Sequence, residues 1–271
     1  MQIHLNHLGL LQVFGKDAAL FLQGQLTQNV LTLNEQKAQY ALYCTKEGRV
    51  KANVILFKKQ NHFYLILSED LKEKIQNDLK KYILRSQVQI ECENKKIIGR
   101  FETQNRDFLN VENDEIDFVE NTKIIIEKEN NLNNNLNENL NENEKKELFS
   151  KWKFLEIKNR LPWIFLKTTE LFTPQMLSME KLAVNFQKGC YIGQEVISRT
   201  HYLGKTKRKV FALKSNFCLN VNDWILNKKN EKCGSILYSV KYQNQYFALA
   251  VLNENDQQVF FDENKNQLEI F

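Results

Sequence analysis

Residues 186–209 read FQKGCYIGQEVISRTHYLGKTKRK, placing Lys188, Gly189, Cys190, Tyr191, Gly193, Gln194, Glu195 and Arg199 in one turn and the helix expected after it. No other stretch carries so many dissimilar functional groups. Gly189 and Gly193 lack a Cβ, so the backbone there can bend sharply or approach another group closely. A helix starting near Gly193 carries Val196 and Ile197 on its buried side and leaves its first free N–H groups beside Cys190. Lys188 and Arg199 add positive charge. A thiol in such a setting leans toward the thiolate, which makes Cys190 the candidate functional cysteine, with Lys188 and Arg199 beside it. Glu195 and Arg199 stand four apart, the spacing of a helical ion pair that would fix the helix start. The plainer alternative is a Gly-rich turn with a buried cysteine acting as a small hydrophobe. The density of polar groups favours function.

The 271 residues allow two or three domains around a sizeable core. A net charge of +5 permits an anionic ligand or a weak RNA contact and requires neither; no direct DNA binding is expected. The five cysteines are scattered, odd in number and without a C-x-x-C pair. That pattern predicts free thiols in a reducing compartment and no zinc ribbon or cysteine-ligated metal site. The N-terminus has no basic leader, and no apolar run approaches the ~20 residues that span a bilayer. A cytoplasmic monomer without a membrane segment is the expectation.

Before the motif, 8–14, 37–45, 50–58, 62–67, 86–92, 96–101 and 122–127 read as strands. Asp17 is placed to cap a short helix that Gln23-Gly24-Gln25 interrupts. Ser68 is placed to cap a second, with Leu71, Ile75, Leu79, Tyr82 and Ile83 on its apolar face. The signal weakens over 102–120. Residues 130–143 (NNLNNNLNENLNEN) are a low-complexity surface loop by composition. A helix over 144–160 carries Leu148, Trp152 and Leu155 on one face and ends at Pro162. After Lys205 the chain turns to strand-like runs at 208–213, 223–226, 235–240, 246–252 and 259–261, the pattern of a small β-barrel. The fold class is therefore α+β, divided as 1–100, 101–204 and 205–271.

The run K-G-C-Y-x-G-Q-E, followed by Arg199, Tyr202, Gly204 and Lys207-Arg208, resembles the signature of the YgfZ folate-binding proteins, which are relatives of the glycine-cleavage aminomethyltransferase (T-protein). Gly15 to Thr27 and Phe172-Thr173-Pro174-Gln175 resemble the same family. The resemblance implies a GcvT-like ring of three lobes: two sheet-and-helix lobes that exchange segments, and a C-terminal barrel. It implies tetrahydrofolate bound centrally and a role in keeping iron–sulfur enzymes functional, tRNA-thiolating enzymes among them. Carried onto this chain, the family's folate-binding positions are Trp152, Leu8, Tyr191, Gln194 and Glu195. Leu8 stands where the family has a second tryptophan.

Three functions compete. T-proteins carry G-G-x-V-D-D where this chain has Glu47-Gly48-Arg49-Val50-Lys51-Ala52. Lys and Ala cannot perform a carboxylate's proton transfer, which weighs against an aminomethyltransferase. Lys205, Lys207, Arg208 and Lys209 are a basic run without an aromatic platform, which weighs against an RNA-binding module. The resemblance implies a folate-binding maintenance factor first, with a folate-dependent aminomethyltransferase and an RNA-binding module as the alternatives.

Overall fold

The structure is a computed structural model that describes residues 1–102, 109–112, 114–127, 140–204, 206–253 and 260–271. The chain opens with β1 (Gln2–His4), β2 (Leu8–Phe14), α1 (Ala18–Gln25), β3 (Gln39–Cys44), β4 (Val50–Lys59) and β5 (His62–Ser68). It continues through α2 (Lys72–Lys80), β6 (Gln89–Glu93), β7 (Ile97–Phe101), β8 (Val111–Glu112), β9 (Glu115–Asp117) and β10 (Thr122–Ile126). The long helix α3 (Glu142–Lys158) leads to α4 (Glu180–Ala183) and the motif helix α5 (Gln194–Leu203). The last strands are β11 (Arg208–Ser215), β12 (Trp224–Leu226), β13 (Lys232–Tyr242), β14 (Gln245–Asn253), β15 (Phe260–Phe261) and β16 (Gln267–Ile270).

These strands form two antiparallel sheets, ordered β3-β4-β5-β2-β6 and β1-β7-β10-β9-β8, and a closed barrel, β11-β14-β13-β12-β15-β16. In β4 the residues from Ala52 to Phe57 are all buried, as in a strand covered on both faces. β1 and β7 fall within the stretch expected as the first lobe, yet both pair in the second sheet. The two lobes therefore exchange segments. α3 runs against β1 of that sheet and against β13 and β14 of the barrel. It is the element that the second sheet and the barrel share.

Several local expectations change. Asp17 precedes α1, but its carboxylate accepts from the Gln87 backbone N–H at 2.8 Å and does not cap the helix. Gln23-Gly24-Gln25 does not interrupt α1, which runs to Gln25. Ser68 donates to the Asp70 carboxylate and caps no helix N–H group; α2 ends at Lys80, leaving Tyr82 exposed. β1, β8, β9, β16 and α4 were not apparent in the sequence. Residues 130–139 of the low-complexity stretch, Lys205 and Val259 lie outside the described residues.

The end of that stretch is helix start, not loop. Asn141 Oδ1 accepts from the N–H groups of Asn143 and Glu144 at 3.0 Å, and Glu144 Oε2 accepts from Asn141 N at 2.7 Å, a capping box. At the other end Arg160 takes a left-handed φ of 52°, while Arg160 N donates to Ile157 O and Leu161 N to Glu156 O. That is a Schellman motif built without glycine, and it ends α3 before Pro162 is reached. It also folds the Leu161–Ile164 segment back against the helix.

Candidate functional site

Two clusters of functional side chains emerge, one around the motif and one where the three units meet. In the motif, Lys188 is buried and its Nζ donates to Gln23 O at 2.5 Å and Leu26 O at 2.6 Å. Those carbonyls lie at the C-terminal end of α1, which has no basic residue of its own in the last turn. Lys188 thus caps a helix 162 residues away, where a cation offsets the helix dipole. Its ammonium also stands 4.9 Å from the Tyr191 ring centroid. Burial pushes Lys188 down to about 8. The expected charge on the Cys190 side of the turn is therefore committed to α1.

Tyr191 is buried and its hydroxyl has no hydrogen bond; burial raises its pKa above the ordinary phenol value. Ile192 N donates to Gly24 O at 3.3 Å, a second tie to α1. Gly193 caps α5 at φ 84°, and a Cβ there would lie 2.4 Å from Thr45 O. Gly48, in the turn between β3 and β4, has φ 72° and faces Val196 and Ile197. A pair of glycines thus lets that turn and the start of α5 touch. Ile197 is buried as expected; Val196 is half-buried.

Cys190 is an exposed free thiol between two anchored residues, Lys188 and Tyr191. Gln194 opens α5 half-buried. Glu195 and Arg199 are exposed, and no ion pair joins them, so the expected network is not closed. On an exposed surface, holding two long side chains together gains little. Lys51 pairs with Asp78 at 2.7 Å and lies 5.3 Å from the Tyr43 ring, while Ala52 is wholly buried. Neither offers an acid at the T-protein position.

The second cluster was not foreseen except for Trp152. Glu156 on α3 is 0% exposed, and its Oε1 accepts from Trp152 Nε1 at 3.0 Å and Trp163 Nε1 at 2.9 Å. Lys153 Nζ lies 2.8 Å from Oε2, an ion pair whose angles make no hydrogen bond. That ammonium is 4.2 Å from the Tyr238 ring centroid and 5.3 Å from that of Phe165. His7 Nε2 is 3.5 Å from Oε1. Burial alone would raise the Glu156 carboxyl; the Lys153 ammonium and His7 outweigh it and hold it at about 2. Burial, then the Lys153 charge, lowers His7.

All three units hold the Leu161–Ile164 segment beside this carboxylate. Asn53 of β4 donates to Pro162 O and accepts from Ile164 N, each at 2.8 Å. Tyr238 of the barrel donates to Leu161 O at 2.9 Å. Trp163 of the segment reaches Glu156. Trp152 itself is 1% exposed, stacked on Phe118 and so close to Gly99 that a Cβ there would lie 2.5 Å from the indole. What Trp152 offers the junction is its N–H on Glu156. Leu8 is buried in β2, next to His7. A charged residue on the apolar side of α3, beside Trp152, was the available sequence signal for Glu156. Nothing local marked His7 or Asn53.

The two sheets, the shared helix and the barrel define the class of fold. Residues 2–98 match the GCVT N-terminal domain family. The crystal structure of the glycine cleavage system aminomethyltransferase T from Bartonella henselae superposes with a TM-score of 0.72 over 99% of this chain and 84% of that one, at 12% identity. The fold is GcvT-like. Within it, the tRNA-modifying protein YgfZ of Buchnera aphidicola subsp. Baizongia pistaciae is 33% identical over 255 residues, 84% of this chain and 79% of that protein. The protein of the same name from Hamiltonella defensa is 27% identical over 282 residues, 94% and 84% of the two chains. The chain belongs to the YgfZ family.

Proposed function

We propose that this protein binds tetrahydrofolate or a derivative at the three-unit junction and, through Cys190, keeps cytoplasmic iron–sulfur enzymes functional, tRNA-thiolating enzymes among them. The observation that carries the binding is a cluster of buried polar groups that the chain satisfies only in part: neither His7 nitrogen has a hydrogen bond, and Lys153 Nζ and Glu156 Oε2 meet only as a close ion pair. Buried polar groups are ordinarily paired, so such a set invites a partner from outside the chain. A pterin offers a flat ring and an edge of alternating donors and acceptors. An ammonium, a carboxylate, an imidazole and neighbouring aromatic rings fit that edge and face. When bound, a reduced folate supplies one-carbon or electron chemistry. The residues of the chain bind and orient it and exclude water. The exposed, doubly anchored Cys190 supports contact with clients, and the Lys51–Asp78 pair supports the non-transferase reading.

Titration with tetrahydrofolate, followed by tryptophan fluorescence, tests the binding, because Trp152 and Trp163 both touch Glu156. A saturable change is expected; its absence overturns the reading. Cys190→Ser is expected to abolish client-enzyme activity in cells while the protein stays folded. No turnover of an aminomethyl-lipoyl carrier is expected.

A further inference from the structure

We propose that His7 is a ligand-binding residue of the junction site, and that its imidazole hydrogen-bonds the donor–acceptor edge of a flat heterocycle. The inference rests on the folate reading above and adds a residue to it.

His7 lies in the short link between β1 and β2, where the chain crosses from one sheet to the other. The link is held by its backbone. Leu8 N donates to Leu5 O, and His7 O accepts from Glu69 N, each at 2.9 Å. The ring stands edge-on to Phe149, centroids 5.3 Å apart, with both nitrogens buried and neither in a hydrogen bond. The near carboxylate oxygen cannot serve it well. Glu156 Oε1 is 3.5 Å away and already accepts two indole N–H groups.

An apolar ring would suit this place better if packing were all it did. Burying two unsatisfied nitrogens beside the Lys153 ammonium is unfavourable, and a phenyl ring would avoid it. A neutral imidazole offers one donor and one acceptor, a combination that neither Lys153 nor Glu156 provides. The three side chains together bring donor-only, acceptor-only and mixed groups into one cluster. The guest class this selects is a heterocycle with an amide or amidine edge, which is what a pterin presents.

The test compares wild type, His7→Phe and His7→Gln, using tetrahydrofolate as the probe. Expected are saturable binding to wild type, at least tenfold weaker binding to His7→Phe at an equal or higher melting temperature, and partial recovery in His7→Gln. The His7 imidazole nitrogen resonances of wild type are expected to shift on addition of tetrahydrofolate, which a purely structural histidine would not do. Equal affinity in wild type and His7→Phe overturns the assignment and leaves the folate reading standing. It would mean that a buried water satisfies the ring. No saturable binding by wild type overturns both.

Discussion

Lys188 and Lys153 are both buried against aromatic rings, and their charges are met differently. Among the described residues Lys188 has no carboxylate partner; two backbone carbonyls at the end of α1 and the Tyr191 ring hold its ammonium, and burial pushes it down to about 8. Lys153 has a fully buried counter-ion, and together with His7 it holds the Glu156 carboxyl at about 2. The first arrangement ties a surface motif to a distant helix. The second places a full ion pair where three units meet. A cation on backbone dipoles fixes chain position without leaving polar capacity spare. At the junction the ion pair stands beside an imidazole whose nitrogens have no hydrogen bond, so polar capacity is left there for a ligand.

The sharpest way to break the contrast is Glu156→Gln. It strands the Lys153 ammonium, and unpairing one member of a buried pair costs about 3–5 kcal/mol. Denaturant melts measure it. The carboxyl is depressed from 4.5 to about 2 on folding, so its contribution is complete above about pH 4.5 and is lost as pH falls toward 2. The stability gap between wild type and Glu156→Gln is therefore expected to narrow over that window. A gap independent of pH would show that the carboxylate charge is not what stabilises the junction.

Lys188→Met comes next, at about 1.5–3 kcal/mol, because it removes charge-assisted bonds from two helix carbonyls. Its pH dependence has the opposite placement. Lys188 falls from 10.5 to about 8 on folding, so between those values the unfolded chain binds more protons than the folded one. Wild-type stability due to this residue rises across that window, and the rise is absent from Lys188→Met. Unfolding midpoints at several pH values from 7 to 10.5 would detect it.

Gly193→Ala is expected to cost about 1–2 kcal/mol for the left-handed backbone alone. The added Cβ, 2.4 Å from Thr45 O, must also push α5 off the β3–β4 turn. A melting temperature unchanged from wild type would mean that this contact is loose. Smallest are Glu195→Ala and Arg199→Ala, each within about 0.5 kcal/mol, since both residues are exposed and unpaired with each other. A coupling between them in a double-mutant cycle would restore the network that the structure does not show.

Much of the fold was legible because the relevant signals are local. Alternating and continuous apolar runs marked β2 through β7, β10 and the barrel strands β11 to β15, and the period of Leu148, Trp152 and Leu155 marked α3. What failed were short strands such as β8 and β9, too brief for any period, and caps such as Asp17 and Ser68, whose side chains found partners outside their helices. Of the candidate site, the dense motif was apparent, down to the buried Ile197 and the glycine at the start of α5.

The amino-acid sequence by itself determined the family, the motif and the order of the elements, since each is written in residues close together along the chain. Only the tertiary structure decided where the charges go. Lys188 reaches carbonyls 162 and 165 residues away, and Asn53 and Tyr238 clamp a segment 109 and 77 residues from them. Burial, which sets what a charge costs and what it needs, depends on every unit that closes over it. No local pattern around His7 or Glu156 records that three units meet there.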